Sequence, residues 1–301
     1  MKNRILITGG LGYVGTQLCK TLCTDPNNSI TVIDNNFNPE RVVWLIKHGI
    51  MFYQRNIFDI RDLIKYVDVC YHLAGITDVP QTVAQSTPEK DAEIHRIGTE
   101  GTRYLIDNID KNTHIIFAST QVVYDGLPDE KLNITEDLDP CPSVAYSKSK
   151  RQSEIDLLNS DKNFTIARFA SVYGYNESMR WKILPNLFSK MSAQNLDLKV
   201  FGAENYKPLI GINDLAECLK FLSQSTFYGE IFHCVNENKK VIDIANICKS
   251  VNPKISVHIV EEETPNKGFT LSNKKLLSTG FKFRQTIQEE IRTMIGLWKN
   301  K

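Results

Sequence analysis

Five short apolar runs rich in β-branched residues recur along the first part of the chain: RILITG at 4–9, ITVIDN at 30–35, DVCYHLAG at 68–75, HIIFAST at 114–120 and FTIARFASVYG at 164–174. Runs of this length bounded by turn residues predict buried strands. Between them, GYVGTQLCKTLC (12–23), IGTEGTRYLIDNI (97–109) and AYSKSKRQSEIDLLN (145–159) repeat apolar residues at helical intervals. Strands alternating with helices predict right-handed crossover units, hence an α/β fold with a doubly wound parallel sheet covered on both faces. After Gly174 the alternation loosens: WKILPNLFSKM, INDLAECLKFLSQ and IDIANICKSV read as helices, LDLKVFG and EIFHCVNE as strands. This predicts a main domain over 1–174 and a smaller mixed α/β C-terminal lobe over 175–301, with the strand near 230–236 a candidate to rejoin the main sheet.

Composition narrows the function classes. The 301 residues are 42% hydrophobic and 24% charged, the balance of a globular protein and not of a disordered one. Thirty-six basic against thirty-five acidic residues leave a net charge of +1, which gives no electrostatic case for nucleic acid or a membrane surface as partner. Cys19 and Cys23 are the closely spaced pair among seven cysteines, and their helical spacing with no second pair predicts packed free thiols and no metal site. The opening MKNRILITGG has too short an apolar run for a signal-peptide core, and no segment approaches a membrane span, so a cytoplasmic location is expected.

The first candidate chemistry lies at TGGLGYVG, residues 8–15, directly after the first predicted strand and opening the first predicted helix. Gly10, Gly12 and Gly15 fit G-x-G-x-x-G, and Gly9, Gly12 and Gly15 fit a three-residue spacing. Glycines let a pyrophosphate approach the free amides and positive dipole of the helix N-terminus. The second strand ends in Asp34, nineteen residues after Gly15, where a carboxylate can accept the hydroxyls of an adenosine ribose and repel a 2′-phosphate. A dinucleotide site on a Rossmann-type sheet follows, with NAD favoured; Arg41, a nearby guanidinium, leaves NADP open.

Tyr146 and Lys150 stand four apart on one predicted helix, and Thr120 ends the strand HIIFAST. Spacing alone is not specific, but a parallel sheet presents its carboxyl-end residues to the ligand crevice. Moving a hydride off a carbinol carbon requires taking its hydroxyl proton, and free tyrosine, with a pKa of about 10, is protonated at neutral pH. A neighbouring ammonium favours the phenolate, so Tyr146 can serve as base in oxidation and acid in reduction, with Thr120 holding the substrate oxygen.

TGGLGYVG, Asp34, HLAG at 72–75, STQVVY at 119–124, YSKSK at 146–150 and RFASVYG at 168–174 together resemble the extended short-chain dehydrogenase/reductases that act on nucleotide-diphosphate sugars. VFGAENYKPLIGINDLAE and LSNKKLLSTGFKF extend the resemblance over nearly the whole chain. It implies that Gly9, Gly12, Tyr13, Val14 and Gly15 hold the pyrophosphate, Asp34 and Asn35 the adenosine ribose, and that Asp59 and Ile60 flank adenine. Leu73, Ala74 and Gly75 would pass beneath the cofactor, Phe169 and Val172 would sit near nicotinamide, and Lys150 would also reach its ribose. Thr120, Gln121, Ser171, Arg180 and Lys207 are the implied substrate contacts. Ser171 stands where many members carry Asn, Lys207 where many carry Arg, and Gly98 where Asn is common. His72 reads as a core histidine at a strand end. Helices around 91–108 and 144–159 would form a homodimer.

Departures from the family pattern prune the reactions. Dehydratases carry an acid and a base at the positions of Gln121 and Val122, and 3,5-epimerases a Cys and a His at positions aligning with Val122 and Asn176; the residues here exchange no proton with carbon. Hydride chemistry at sugar C4 is what remains. The expectation is an NAD(P)-dependent sugar-nucleotide 4-epimerase or 4-dehydrogenase. VYDG at 123–126, which resembles 4-ketoreductases, keeps an NADPH-dependent 4-keto-sugar reductase as the alternative. A different-class alternative, a non-catalytic dinucleotide sensor or scaffold, predicts loss of the reacting residues, and all are present.

Overall fold

A computed structural model describes residues 3–77, 87–224, 226–261 and 268–299. The chain divides into two compact units. The first comprises 1–126, 140–168 and 216–232, and the second 127–139, 169–215 and 233–301. Whereas the sequence suggests one boundary near 174, the chain crosses within the strand Asn163–Phe169 and also sends 127–139 into the second unit.

The first unit is built on a seven-stranded sheet of β1 (Asn3–Thr8), β2 (Asn28–Asp34), β3 (Met51–Gln54), β4 (Val69–His72), β5 (His114–Thr120), β7 (Asn163–Phe169) and β11 (Glu230–Cys234). Their spatial order is β11-β7-β5-β4-β1-β2-β3, and β1 pairs in parallel with both β2 and β4. The strand order therefore reverses at β1 and β4, the place where such sheets open a ligand crevice at their carboxyl ends. Every residue of β4 and β5 is buried, which explains their largely apolar character in the sequence. Helices α1 (Tyr13–Leu22), α2 (Pro39–Lys47), α3 (Pro88–His95), α4 (Gly101–Asn108) and α5 (Ala145–Leu158) accompany the sheet. Leu6, Ile33, Ile60, Ile115 and Phe117 from strands and loops pack with Leu105 of α4 and Leu157 of α5 in one core. Between α3 and α4 one turn, Arg96–Glu100, widens to π geometry.

The second unit contains β6 (Lys131–Ile134), β8 (Ser171–Tyr173), β9 (Leu198–Phe201), β10 (Tyr206–Gly211), β12 (Glu237–Lys240), β13 (Val257–Val260) and β14 (Phe269–Leu271). They form a β12-β10-β8 sheet and the pairs β13-β9 and β14-β6. Its helices are α6 (Leu184–Ala193), α8 (Val241–Val251), α9 (Lys274–Ser278) and α10 (Ile287–Lys299), with α10 packed on α6 and α8. The chain passes back to the first unit along α7 (Ile212–Ser223). No helix among the described residues is long and apolar enough to cross a membrane. All seven cysteines are free, and burial pushes the Cys19 thiol well above its ordinary range.

Candidate active site

β1 delivers the glycine loop to the switch point. Gly9 has φ +72°, and a Cβ there would come within 2.9 Å of the Ala74 backbone; a Cβ on Gly15 would meet the Gly9 carbonyl at 2.5 Å. The loop is thus packed against HLAG and against the first turn of α1, with no space for a side chain at Gly9 or Gly15. Gly12 caps α1 with no side-chain hydrogen bond, and the N-terminus of a helix attracts an anion. Asp34, buried at the end of β2, accepts from the Leu11 amide at 3.0 Å through Oδ2 and from the Asn36 amide at 3.0 Å through Oδ1. Each carboxylate oxygen can accept a further hydrogen bond. The Arg41 guanidinium donates to the Leu11 carbonyl in the same loop. Tyr13 is buried and Val14 partly so, Asn35 is exposed, Asp59 lies in an exposed turn, and Ile60 is a fully buried core residue.

β4 ends in His72, fully buried between Thr8 Oγ1 (2.8 Å) and Thr102 Oγ1 (3.0 Å). Burial, with the Lys150 charge adding to it, lowers His72 to about 3, so it is a neutral core residue at pH 7. Thr8 links the next residues: its carbonyl accepts from Leu73 and its hydroxyl from the Ala74 amide. Gly75 follows, where a Cβ would stand 3.5 Å from Lys150 Nζ.

The candidate reacting residues come from β5 and α5, which pack together. Thr120 ends β5 and caps a 3-10 turn, Gln121–Tyr124, its hydroxyl accepting from Val122 N at 3.1 Å. Tyr146 is the second residue of α5, and Lys150 lies one turn on; both are buried. Lys150 Nζ donates to the Ala118 carbonyl at 2.7 Å and lies 4.8 Å from the centre of the Phe117 ring. Burial lowers Lys150 to about 8, and Glu154, one turn further, opposes that shift. Thr120, Tyr146, Lys150 and Gly75 thus belong to one unit, at the carboxyl end of its sheet.

Phe169, Val172, Ser171, Arg180 and Lys207 belong to the second unit. Leu209 of β10 pairs with Ser171 of β8, so Lys207, two residues before Leu209, shares the face of Ser171. Lys207 also stands opposite Lys239 in the antiparallel pair with β12. Burial lowers the Lys207 ammonium, and it has no hydrogen-bond or ion-pair partner among the described residues. A largely buried, uncompensated cation is costly, and an anion relieves that cost. Val172 is buried on β8, Phe169 is partly buried and Arg180 is exposed.

Sequence reasoning missed the frame around this set. Glu154 and Arg168 form a buried bidentate ion pair, joined by Ser119 and Tyr124. Its only sequence signal is a glutamate four residues after Lys150 and an arginine inside a predicted strand. The π turn places Gly98 against α5, where its carbonyl accepts from Thr102 Oγ1 (2.6 Å) and Ser153 Oγ (3.0 Å) while Thr99 bonds Ser149. A web of short hydroxyls thus surrounds Gly98.

A glycine-lined loop, an adjoining buried carboxylate and a Thr-Tyr-Lys set at one sheet end are the arrangement expected of a dinucleotide-dependent oxidoreductase-type site. The family model described as the NAD dependent epimerase/dehydratase family matches residues 5–235, and the chain belongs to that family; it is an NAD-dependent enzyme. The UDP-glucose 4-epimerase of Mycoplasma genitalium is 30% identical over 266 residues, 81% of this chain and 70% of that protein. The UDP-N-acetyl-alpha-D-glucosaminuronate decarboxylase of Bacillus cytotoxicus is 27% identical over 292 residues, 89% and 87% of the two chains. The Bacillus cereus UDP-glucuronic acid 4-epimerase, solved with UDP-glucuronic acid and NAD, has the same fold, with a TM-score of 0.83 at 20% identity over 99% of each chain.

Proposed function

We propose that the protein is a nucleotide-diphosphate-sugar 4-epimerase in which Thr120, Tyr146 and Lys150 move the proton of the C4 hydroxyl. The observation that carries this reading is the placement of Lys150, buried beside Gly75 and one turn from Tyr146 on α5. When bound, NAD would supply reversible hydride transfer at C4. Thr120 orients the C4 oxygen by a hydrogen bond. Tyr146 takes that oxygen's proton in the oxidation and gives it back in the reduction, and the Lys150 ammonium favours the phenolate form. Gly9, Gly12, Tyr13, Val14 and Gly15 hold the pyrophosphate of NAD, and Asp34 with Asn35 its adenosine ribose. Leu73, Ala74 and Gly75 line the cofactor's path, with Asp59 on the adenine side and Phe169 and Val172 on the nicotinamide side; Ile60, wholly enclosed in the core, has no surface to offer adenine and is withdrawn from that role. In the second unit Lys207, Ser171 and Arg180 hold the substrate's diphosphate end, and Gln121 contacts the sugar.

Because the relatives named above act on UDP-linked sugars, a UDP-sugar is the substrate to test first. The reading includes a cytoplasmic homodimer formed through α3, α4 and α5; light scattering at micromolar concentration checks the dimer. The test of function is incubation with NAD and UDP-glucose, UDP-N-acetylglucosamine or UDP-glucuronic acid, with products resolved by proton NMR. The 4-epimer is expected, and Tyr146→Phe should slow its formation at least about 100-fold. Release of carbon dioxide from UDP-glucuronic acid, stoichiometric consumption of NADPH, or undiminished turnover by Tyr146→Phe would each replace this reading.

A further inference from the structure

The helix that carries Tyr146 and Lys150 starts at Val144, whose side chain accepts nothing, so α5 has no cap of its own. An acceptor comes instead from Asp125, eighteen residues before Ser143. Its Oδ1 accepts from the Ser143 amide at 2.6 Å and the Ser147 hydroxyl at 3.1 Å, and its Oδ2 from the Val144 amide at 3.4 Å. Gly126 completes the join: its amide donates to the Cys141 carbonyl at 2.8 Å, and a Cβ there would lie 2.5 Å from that oxygen. The chain leaves the first unit after Gly126 and returns at Pro140, so the join closes the base of this excursion.

Asp125 also ends the 3-10 turn that Thr120 begins, its own amide donating to Val122 O at 3.0 Å. One four-residue turn thus has Thr120 at its start and, at its end, the carboxylate that grips the first turn of α5. We propose that Asp125 is a positioning residue for proton transfer: by tying the Thr120 turn to the start of α5, it sets where the Tyr146 phenol stands relative to the Thr120 hydroxyl. The inference rests on the reading of Thr120 and Tyr146 given above. It gives the VYDG segment a role in alignment, separate from any choice between epimerase and reductase. Asp125 touches no reacting atom. Its hydrogen-bond partners, Val122, Ser143, Val144 and Ser147, lie outside the cofactor cradle.

The test compares Asp125→Ala and Asp125→Asn with the wild-type protein, all loaded with NAD, on the UDP-sugar the wild type interconverts. For Asp125→Ala the expected result is a fall in kcat of about 30- to 100-fold, the penalty of a small misalignment, with KM and retained NAD within about threefold. Asp125→Asn keeps a carbonyl acceptor for the Ser143 amide and should recover kcat to within about fivefold of wild type. Hydrogen exchange of the amides at 143–147 should rise in Asp125→Ala and stay near wild type in Asp125→Asn. A kcat within twofold of wild type for Asp125→Ala overturns the proposal, as does an Asn variant no better than Ala. If the wild type converts no sugar nucleotide, the proposed function fails by itself; unchanged exchange at 143–147 in Asp125→Ala would then overturn the clamp independently.

Discussion

Replacing Glu154 by Gln is the most demanding test of how the reacting helix is held. Glu154 and Arg168 are 0% and 1% exposed, and the guanidinium meets both carboxylate oxygens at 2.9 Å. Ser119 Oγ donates to Oε1 at 2.5 Å, Arg151 to Oε2 at 3.1 Å, and the remaining Arg168 nitrogen to the Tyr124 hydroxyl at 2.6 Å. Glutamine offers one oxygen and an NH2 group, so a donor faces the guanidinium and the buried cation loses its counter-charge. Breaking one side of such a pair costs about 3–5 kcal/mol. For a cooperative unit of roughly 170 residues this lowers the unfolding midpoint by roughly 10 °C. Differential scanning calorimetry of both proteins at one pH and NAD concentration measures it. The double variant Glu154→Leu with Arg168→Met should recover most of the loss, because apolar groups of similar volume replace a buried pair at little net cost. The same substitution removes the charge that opposes the lowering of Lys150 below its ordinary value. The alkaline limb of kcat/KM, where the ammonium is lost, should therefore move to lower pH. A Glu154→Gln midpoint within 2 °C of wild type, about 1 kcal/mol, would refute the reasoning.

His72 falls to about 3 in the folded protein against 6.5 in the unfolded chain, so between these values the unfolded state binds more protons. The stability it contributes is complete above pH 6.5 and lost as pH falls toward 3, at up to about 1.4 kcal/mol per pH unit. Urea unfolding of His72→Gln at pH 7, 6, 5 and 4 should show a shallower acid loss than wild type. His114, lowered to about 4 by burial, keeps its own contribution in both proteins. An equal slope would contradict the assignment. A Cβ on Gly98 would run into Ser149 Oγ, which bonds Thr99 and the Ile94 carbonyl. Gly98→Ala should cost about 1–2 kcal/mol by displacing that hydroxyl, and Ser149→Ala should relieve part of the cost. A double-mutant cycle in denaturant measures the coupling, and additivity within about 0.5 kcal/mol would count against the contact.

The features legible in the sequence are those whose cause is local. A strand followed at once by TGGLGYVG reveals its purpose because left-handed φ at Gly9 and backbone contact at Gly15 exclude side chains wherever the rest of the chain goes. Asp34 is legible because a crossover unit has a near-constant length, and Tyr146 with Lys150 because residues four apart share a helix face. The alternation of runs determines a parallel sheet, and with it the strand ends where Thr120 and Gly75 stand.

The rest required partners distant in sequence. Arg168 and Glu154 lie on a strand and a helix that meet only in the folded chain, and nothing in FTIARF tells a buried arginine from a misplaced one. Asp125 looks like a turn residue until Ser143 and Val144 return to it across an excursion that joins the other unit. The unit boundaries escape a linear reading because the segment 127–139 pairs its strand with Phe269–Leu271, a register set by packing and not by composition. Short-range sterics and helix periodicity are written in neighbouring residues; the compensation of buried charge is written in pairs that only the folded chain brings together.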